Sequence, residues 1–262
     1  MNITINSTGK AEIFGLLFQY IRLFTEHINV TFDKEKMFMQ SMDSARVSVF
    51  ELSLPSTWFD EYEHNSAASI TLGIPATMLF KILNTRDKSQ NIQIIYNEDD
   101  DKLFVNFSSN NTSIFNKRFE LPLIDLECEL MAIPDTESEA EFSIDSTNFA
   151  NLINQLKIFG DTIEIHCTED KIILHSISIE AGKMLVDINI DDLTEYSITE
   201  GEVMKLSFSL SMLHNICMYN KLSKDVEIHL IKDFPMKIIY ALDDDNAHFT
   251  FYLAPKIGDD ND

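Results

Sequence analysis

Residues 14–41 read FGLLFQYIRLFTEHINVTFDKEKMFMQS, and residues 149–176 read FANLINQLKIFGDTIEIHCTEDKIILHS. The two segments align without a gap, and their apolar positions coincide, for example Phe14 with Phe149 and Ile21 with Leu156. In each copy, apolar residues first recur at i, i+3, i+4 and i+7, which is typical of an amphipathic helix. The spacing then drops to two on either side of a polar turn, which predicts a β-hairpin. The sequence therefore contains an internal repeat of a helix followed by a hairpin.

The rest of each half repeats as well. Residues 76–84 and 209–219 read as short helices, and each is followed by a predicted hairpin, at 92–107 and 226–242. The acidic segment 121–136 contains Pro122 and Pro134, a composition that favours an extended connector. The sequence thus predicts an α+β fold with two similar domains, 1–120 and 137–262, joined by a connector at 121–136. Each domain is expected to contain two short helices and an antiparallel β-sheet.

The charge and the cysteine content indicate which partners and which cellular compartment to expect. The chain carries 43 acidic and 20 basic residues, for a net charge of −23, which argues against nucleic acid as a partner unless the basic residues cluster. Its three cysteines, Cys128, Cys167 and Cys217, lack CxxC spacing, so we expect reduced packing residues in an intracellular compartment. The N-terminus lacks the pattern of a signal peptide, and no apolar run approaches the ~20 residues of a membrane span.

A search for catalytic or metal-binding motifs is negative. The sequence has no GxGxxG, phosphate-loop or GxSxG string. His214 and Cys217 are spaced i, i+3, but two ligands do not make a metal site, and helix packing explains them better. The run 99–101 lacks the alternating ligands and central glycine of a calcium loop. We therefore predict no enzymatic activity, no metal and no cofactor.

Two strings carry a specific resemblance to a known family. Residues 40–52 read QSMDSARVSVFEL, and residues 251–257 read FYLAPKI before an acidic tail. Together with LIDLECELMAIP at 123–134, WFDEY at 58–62 and FGD at 159–161, they resemble the proliferating cell nuclear antigen family of DNA sliding clamps. The resemblance extends from about residue 13 to residue 257.

The resemblance implies a function without chemistry. Three subunits would close head to tail into a homotrimeric ring that encircles duplex DNA and acts as a DNA polymerase processivity factor. It would also be a docking platform for replication and repair proteins. The implied partners are double-stranded DNA, bound topologically and without sequence preference, DNA polymerase and other PIP-box proteins, a clamp loader, and further copies of the chain, with no membrane. The implied location is the nucleus, or a viral replication site if a large DNA virus encodes the chain.

Resemblance also assigns residues to the DNA-facing helices. The family's basic positions keep their charge at Arg22 and Lys81, but other such positions hold neutral residues, among them Asn151 and Asn154. We expect a weakly basic channel with a shallow salt dependence, because fewer cations release fewer counterions. The alternative is that the remaining lysines are ordinary surface charges. The predicted DNA-facing residues are Lys10, Arg22, Lys81, Asn84, Arg86, Lys88, Asn151, Asn154, Lys157 and Lys221.

Two further surfaces follow from the resemblance. The first is an apolar pocket for client peptides, in which Arg46 replaces a family histidine and Met131 a leucine; the alternative is plain core packing. The predicted pocket residues are Met42, Arg46, Val47, Val49, Met131, Ile133, Pro134, Pro235, Tyr252, Leu253, Ala254, Pro255 and Ile257. The second is a subunit contact between strand edges at about 112–120 and about 180–188. Its predicted residues are Ile114, Phe115, Lys117, Phe119, Lys183 and Leu185.

Two other functions remain open at this point. The depleted channel charge favours a clamp-like polymerase accessory factor that stays monomeric or dimeric and does not encircle DNA. An enzyme of unknown type would need a site that the sequence does not display. In the resemblance, the family lysine that receives ubiquitin aligns with Glu169, with Lys171 nearby, so that modification is not expected at this position.

Overall fold

The computed structural model describes residues 1–98, 100–127, 130–134, 136–242 and 246–256. Within these ranges the chain divides into two units. Unit 1 comprises residues 1–44, 50–131 and 242–248, and unit 2 comprises residues 45–49, 132–241 and 249–256. The domain limits given above, at 120 and 136, stay predictions.

Each unit contains two helices, and most of these begin at a polar cap. The helices are α1 (Thr8–Phe24), α2 (Ala76–Leu83), α3 (Ser146–Leu156) and α4 (Leu210–Cys217). The Asp145 carboxylate accepts from Asn148 N at 2.8 Å, and the hydroxyls of Ser7 and Ser209 accept in the same way at α1 and α4. A side-chain oxygen at this position satisfies an N–H group that the first turn leaves without a helical partner. The helices predicted at 76–84 and 209–219 are confirmed, with slightly shorter bounds.

Unit 1 holds two antiparallel sheets. Its strands are β1 (Asn2–Ile5), β2 (His27–Phe32), β3 (Lys36–Met42), β4 (Ser48–Pro55, of which residues 50–55 belong to this unit), β5 (Glu61–Glu63), β6 (Ile70–Pro75), β7 (Asn91–Ile95), β8 (Lys102–Ser108) and β9 (Lys117–Pro122). One sheet has the order β5-β1-β7-β8-β9, and the other strands follow the order β4-β3-β2-β6.

Unit 2 repeats this arrangement strand for strand. Its strands are β10 (Ala140–Asp145), β11 (Thr162–Cys167), β12 (Lys171–Ser178), β13 (Gly182–Asn189), β14 (Glu195–Ile198), β15 (Met204–Ser209), β16 (Asp225–Leu230), β17 (Met236–Ala241) and β18 (His248–Leu253, of which residues 249–253 belong to this unit). The orders are β14-β10-β16-β17-β18 and β13-β12-β11-β15. The predicted duplication and the α+β class are therefore confirmed.

The predicted hairpins are present with small differences in length. The strand predicted at 92–96 is β7, which ends at Ile95, although Tyr96 still exchanges two backbone hydrogen bonds with Met1, next to the β1 pairing. The turns predicted at 97–101 and 243–246 include residues 99 and 243–245, which lie outside the described residues. The FGD string at 159–161 follows the end of α3, and a Cβ on Gly160 would lie 2.6 Å from Ile177 O. Gly160 is therefore required by a close approach of two backbone segments.

The helices bury the apolar faces that their periodicity predicts. Phe14, Leu17, Phe18 and Ile21 of α1 are each at most 1% exposed, and the Phe14 and Phe18 rings lie 5.2 Å apart. Within unit 1, α1 lies beside α2 and contacts β1 and β7. In unit 2, α3 lies beside α4, contacts β10 and β16, and buries Phe149 completely. The opposite face of each helix is left for solvent or a partner.

Candidate nucleic-acid and partner-binding surfaces

The four helices are almost free of acidic residues, in contrast to the rest of the chain. Their sequences contain a single acid, Glu12, and three basic residues, Lys10, Arg22 and Lys81. Because the whole chain has 43 acidic residues, the acids within the described ranges lie almost entirely outside these helices. A surface without acids can approach the phosphates of a nucleic acid, whereas a strongly acidic surface repels them. The helix faces are therefore the surfaces best suited to a polyanion.

Two predicted DNA-facing cations of unit 1 lie on aromatic rings. Lys10 Nζ donates to Trp58 O at 2.7 Å and lies 5.5 Å from the centre of the Trp58 ring. The Arg22 guanidinium lies 4.2 Å from the centre of the Phe80 ring. A cation on a ring face is held in place by the ring's quadrupole while its polar end stays near water. The α1–α2 face thus presents positive charges that are already positioned.

The lone helical acid is itself neutralised. Lys88 Nζ lies 3.6 Å from Glu12 Oε1, and the Lys88 side chain is 90% exposed. On α2, Lys81 is exposed, and Asn84, which follows the helix, is exposed as well. The unit 1 helices therefore carry a small positive balance.

Arg86, also predicted to face DNA, has a different set of contacts. Its Nη1 donates to the backbone oxygens of Asp87, Lys88 and Gln90, the last at 2.7 Å. Burial lowers the pKa of the Arg86 guanidinium from its ordinary value, while the nearby carboxylates of Glu12 and Asp87 oppose that shift. The guanidinium thus organises the loop after α2. Its contact with DNA stays a prediction.

The corresponding face in unit 2 is neutral. The sequences of α3 and α4 contain no Asp, Glu, Lys or Arg. Asn151 and Asn154 are exposed, and in the described part of the chain their side-chain amides make no hydrogen bond. Lys157 is the C-cap residue of α3, and Lys221 follows the end of α4, so the cations lie where the helix dipole favours them. All four residues are accessible, as a DNA-facing role requires.

The segment after β9 is fixed to unit 1 by its backbone. Ile124 N donates to Gly73 O at 3.0 Å, and Asn29 Nδ2 donates to Leu126 O at 3.1 Å. A Cβ added to Gly73 would collide with Ile124 O, so only glycine allows this approach. The connector predicted at 121–136 is therefore docked over its first half, whereas residues 128, 129 and 135 lie outside the described residues.

Gln40 forms a further attachment that sequence reasoning missed. Its Oε1 accepts from Met131 N at 2.7 Å, its Nε2 donates to Met131 O at 3.0 Å, and Nε2 also donates to Glu51 Oε1 at 2.9 Å. The sequence feature that could have revealed this attachment is a polar residue inside a strand. Gln40 is only 5% exposed, and a buried amide needs hydrogen-bond partners. The amide thus holds Met131, a predicted pocket residue, in one position.

In unit 2, the predicted pocket residues near the C-terminus are also fixed by backbone bonds. Ala254 N donates to Val47 O at 2.9 Å, and Lys256 N donates to Ser207 O at 2.7 Å. Leu253 is completely buried and therefore supports this segment from below instead of lining a surface. Arg46 has a φ of 58°, an uncommon conformation for a residue with a side chain.

The remaining pocket residues differ in exposure. Met42, Val47, Pro134 and Pro235 are exposed, and those half-buried are Val49, Met131, Ile133, Tyr252, Ala254 and Pro255. Ile257 lies outside the described residues. Some of the predicted pocket residues thus belong to unit 1 and the others to unit 2. Their assignment to a single client pocket stays a prediction.

The strands β9 and β13 each lie at the end of a sheet, as β5 and β14 also do. β9 is hydrogen-bonded to β8 at one end of its sheet, and β13 is hydrogen-bonded to β12 at one end of another. The predicted edges at 112–120 and 180–188 overlap these strands, but residues 112–116 precede β9. An unpaired edge is a template for a strand of another chain.

The predicted subunit-contact residues differ in exposure and in the contacts they make within their own unit. Phe115 is 86% exposed and Leu185 is 50% exposed, and Lys183 is also exposed. Lys117 instead reaches Asp87 Oδ2 at 2.8 Å within its own unit, and the Phe119 ring lies 5.5 Å from the Phe107 ring. Ile114 is half-buried.

Comparison with known proteins agrees with these observations. The sequence model for the N-terminal domain of proliferating cell nuclear antigen matches residues 6–130, and that for its C-terminal domain matches residues 132–256. The chain belongs to the proliferating cell nuclear antigen family. It is similar to the proliferating cell nuclear antigen of Chaetomium thermophilum, with 27% identity over 256 residues, which cover 96% of this chain and 97% of that protein. Membership of this family makes the chain a sliding-clamp protein.

Proteins of the proliferating cell nuclear antigen family are clamps rather than enzymes. Across the described ranges, no group of three or more His, Cys, Asp or Glu residues is arranged to hold a metal. Burial raises the pKa of Cys167 to about 12, so this thiol is protonated and unreactive at neutral pH. None of the helices in the described part of the chain is both long and apolar enough to cross a membrane.

Glu169, which the sequence comparison above predicts to align with the ubiquitin-accepting lysine of the family, has a local structural contact. Glu169 Oε1 accepts from Gly201 N at 2.9 Å, and Gly201 has a φ of 77°, which favours glycine. The neighbouring Lys171 pairs with Asp187 Oδ1 at 2.7 Å. The carboxylate therefore stabilises a turn.

Proposed function

We propose that three copies of this chain close head to tail into a ring around duplex DNA. In this role the ring is a processivity factor for DNA polymerase and a docking platform for replication and repair proteins in the nucleus. The observation that carries the proposal is the near absence of acids from the four helices of a chain with a net charge of −23. Helices that line a channel would meet phosphates, while the acidic remainder would keep DNA away from the outside.

The edge strands β9 and β13 support self-association. β9 and β13 differ in sequence and belong to different units, so a contact between them is heterologous and can close into a ring. The exposed Phe115 and Leu185 provide apolar surface on either edge that such a contact would bury. Each added subunit would then offer one edge of each kind to its neighbours.

The attached connector and C-terminal segment support the docking role. Backbone bonds of Ile124 and Ala254 and the Gln40 amide hold these segments without the help of a client. A preorganised surface costs less conformational entropy on binding. PIP-box peptides, which carry aromatic anchors, are the clients proposed for it, and a clamp loader would open the ring.

The molar mass in solution tests the ring. Light scattering after size-exclusion chromatography should give about 90 kDa, three times the 30.1 kDa chain, at all protein concentrations tested. Leu185→Asp on β13 should reduce this mass, whereas Val203→Asp, which changes another exposed apolar residue of unit 2, should not. A wild-type mass of one or two chains would instead support a clamp-like accessory factor that does not encircle DNA.

Topology provides the second test. A ring loaded on a nicked circular plasmid should remain bound in high salt and leave when the plasmid is cut once. Loss from the intact circle at the same rate would contradict encirclement.

A further inference from the structure

We infer that the helices of unit 2 contact the DNA backbone through neutral side-chain amides, whereas those of unit 1 contact it through cations. This inference rests on the proposed function. It adds a division of labour between the two repeats: the cations on α1 and α2 would bind phosphates with a marked salt dependence, and the amides on α3 with almost none, which leaves Lys157 and Lys221 as the cations that flank the unit 2 helices.

The outer face of α3 carries the first observation. Its exposed residues are Thr147, Asn148, Asn151, Asn154 and Gln155, which lie on one side of the helix, opposite the buried Phe149. In the described part of the chain, the side-chain amides of Asn151 and Asn154 make no hydrogen bond, so their N–H groups are available to a partner. Asparagine and glutamine donate to phosphate oxygens, and such contacts position a protein on DNA without reading sequence.

The second observation is the distribution of charge within unit 2. Its acids include Glu141, Glu195 and Glu227 on strands β10, β14 and β16, but none lies on α3 or α4. Acidic residues are common in this chain, so a solvent-exposed helix face without any acidic residue calls for a reason. Binding of DNA supplies that reason, because each acidic residue near a phosphate would repel it.

The third observation is the contrast with unit 1. There the helices carry Lys10, Arg22 and Lys81, and the only acid, Glu12, is paired with Lys88 at 3.6 Å. In the ungapped alignment of the two repeats, Gln19 of α1 is equivalent to Asn154 of α3, and Leu16 to Asn151. The amides are therefore more numerous in the unit that has fewer cations.

Salt dependence separates the two kinds of contact. A cation that neutralises a phosphate releases counterions, and each such contact adds about 0.9 to the slope of log affinity against log salt. A neutral amide releases none. Removal of amides should weaken binding by the same factor at all salt concentrations, whereas removal of a lysine should make the slope shallower.

The experiment measures binding of the full chain to a fluorescent 30-base-pair duplex between about 25 and 200 mM NaCl, a range in which phosphate contacts are resolved. We expect Asn151→Ala with Asn154→Ala to weaken binding several-fold at each salt concentration and to leave the slope unchanged. Alanine favours helix at these exposed positions, so the variant should fold. Asn151→Gln with Asn154→Gln keeps the amides and should bind within about twofold of wild type, since the donors that position the protein are retained.

Lys81→Ala is the matched control in unit 1. It should reduce the slope by about 0.9 for each phosphate that the lysine neutralises in the wild type. If Lys81→Ala has this effect but the alanine pair binds like wild type, the inference about amides is wrong and the proposed function stands. If neither variant changes binding, the inference is wrong for both units, and the release from the circular plasmid decides separately whether the ring encircles DNA.

Discussion

The segment that follows the last strand of each unit docks at equivalent places in the two repeats. In unit 1, Ile124 N donates to Gly73 O at 3.0 Å, and in unit 2, Lys256 N donates to Ser207 O at 2.7 Å. Gly73 and Ser207 are each the fourth residue of their strands, β6 and β15. The duplicated topology has therefore kept a docking point for the chain as it leaves the sheet.

Beyond this point the two units differ in their side chains. Asn29 and Gln40 of unit 1 bind the connector backbone at Leu126 and Met131. In the ungapped alignment, the equivalent residues of unit 2 are Glu164 and His175. Amides can donate and accept at once, so they suit a passing backbone, whereas a carboxylate can only accept.

Glu164 and His175 instead belong to a cluster of charged groups. Glu164 Oε2 lies 3.0 Å from Lys205 Nζ, 3.2 Å from His166 Nε2 and 3.7 Å from His175 Nδ1. Glu164 is thus surrounded by three basic side chains, while the buried Nε2 of His175 makes no hydrogen bond to any described residue. Equivalent positions in the two repeats therefore have different roles: in unit 1 they bind the connector, and in unit 2 they form a local ion cluster.

The largest effect should come from adding a methyl group at the shared docking point. Gly73→Ala places a Cβ against Ile124 O and should detach the connector, with a loss of about 3 kcal/mol in the free energy of unfolding. The measurement is urea unfolding together with hydrogen exchange of residues 121–127. The matched variant Ser207→Ala should change stability by less than about 1 kcal/mol, because a Cβ is already present there. Equal losses in the two variants would show that the close approach of the added Cβ to Ile124 O does not cause the effect.

Gln40→Leu should have the next largest effect. It removes the two bonds to Met131 and the bond to Glu51, and polar groups left without partners typically cost about 2 kcal/mol in total. The amide of Met131 should lose protection from hydrogen exchange, while the core of unit 2 should not.

The control for Gln40 is its equivalent in the other repeat. His175→Leu removes only a 3.7 Å contact with Glu164, so it should cost under about 1 kcal/mol. A larger loss for His175→Leu than for Gln40→Leu would contradict the assignment of Gln40 as the connector's clamp.

Much of the fold could be predicted from the sequence because it rests on periodic burial. The spacing of Phe14, Leu17 and Ile21 indicated both the helix and its buried face, and the repeat at Phe149 located the second copy. Strand ends were predicted less well. The predicted strand included Tyr96, whereas β7 ends at Ile95; Tyr96 nevertheless exchanges backbone hydrogen bonds with Met1, 95 residues away in sequence, and assignments of strand ends differ by such single residues.

The candidate surfaces were less predictable, for two physical reasons. Arg86 was assigned to DNA by its charge, but the carbonyl groups that bind its guanidinium come from backbone geometry, which side-chain type does not reveal. Gln40 was missed because its partner, Met131, is 91 residues away. The lack of acids in the helices was visible in the sequence, but it gained meaning only when the helix bounds were known.

The smallest effect should come from Glu164→Gln in the ion cluster of unit 2. Burial raises the pKa of the Glu164 carboxyl, but hydrogen bonds from Lys205 and His166 outweigh it, so the folded-state pKa is below the ordinary value. The charged form therefore stabilises the fold above the ordinary glutamate pKa of about 4.3, and this stabilisation is lost as the pH falls through the folded-state value. At pH 7, Glu164→Gln should cost under about 1 kcal/mol, since the cluster is partly exposed.

The pH dependence distinguishes this electrostatic contribution from a packing effect. The difference in stability between wild type and Glu164→Gln should be present at pH 7 and should shrink as the pH falls below about 4.3 and through the lowered pKa of Glu164, because the protonated carboxyl resembles glutamine. Glu195→Gln, at a carboxylate that forms no ion pair with any described residue, should show almost no difference at either pH. A constant difference for Glu164→Gln across this range would mean that the carboxylate acts through its shape, and that unit 2 replaces the amide clamp of unit 1 with packing instead of charge.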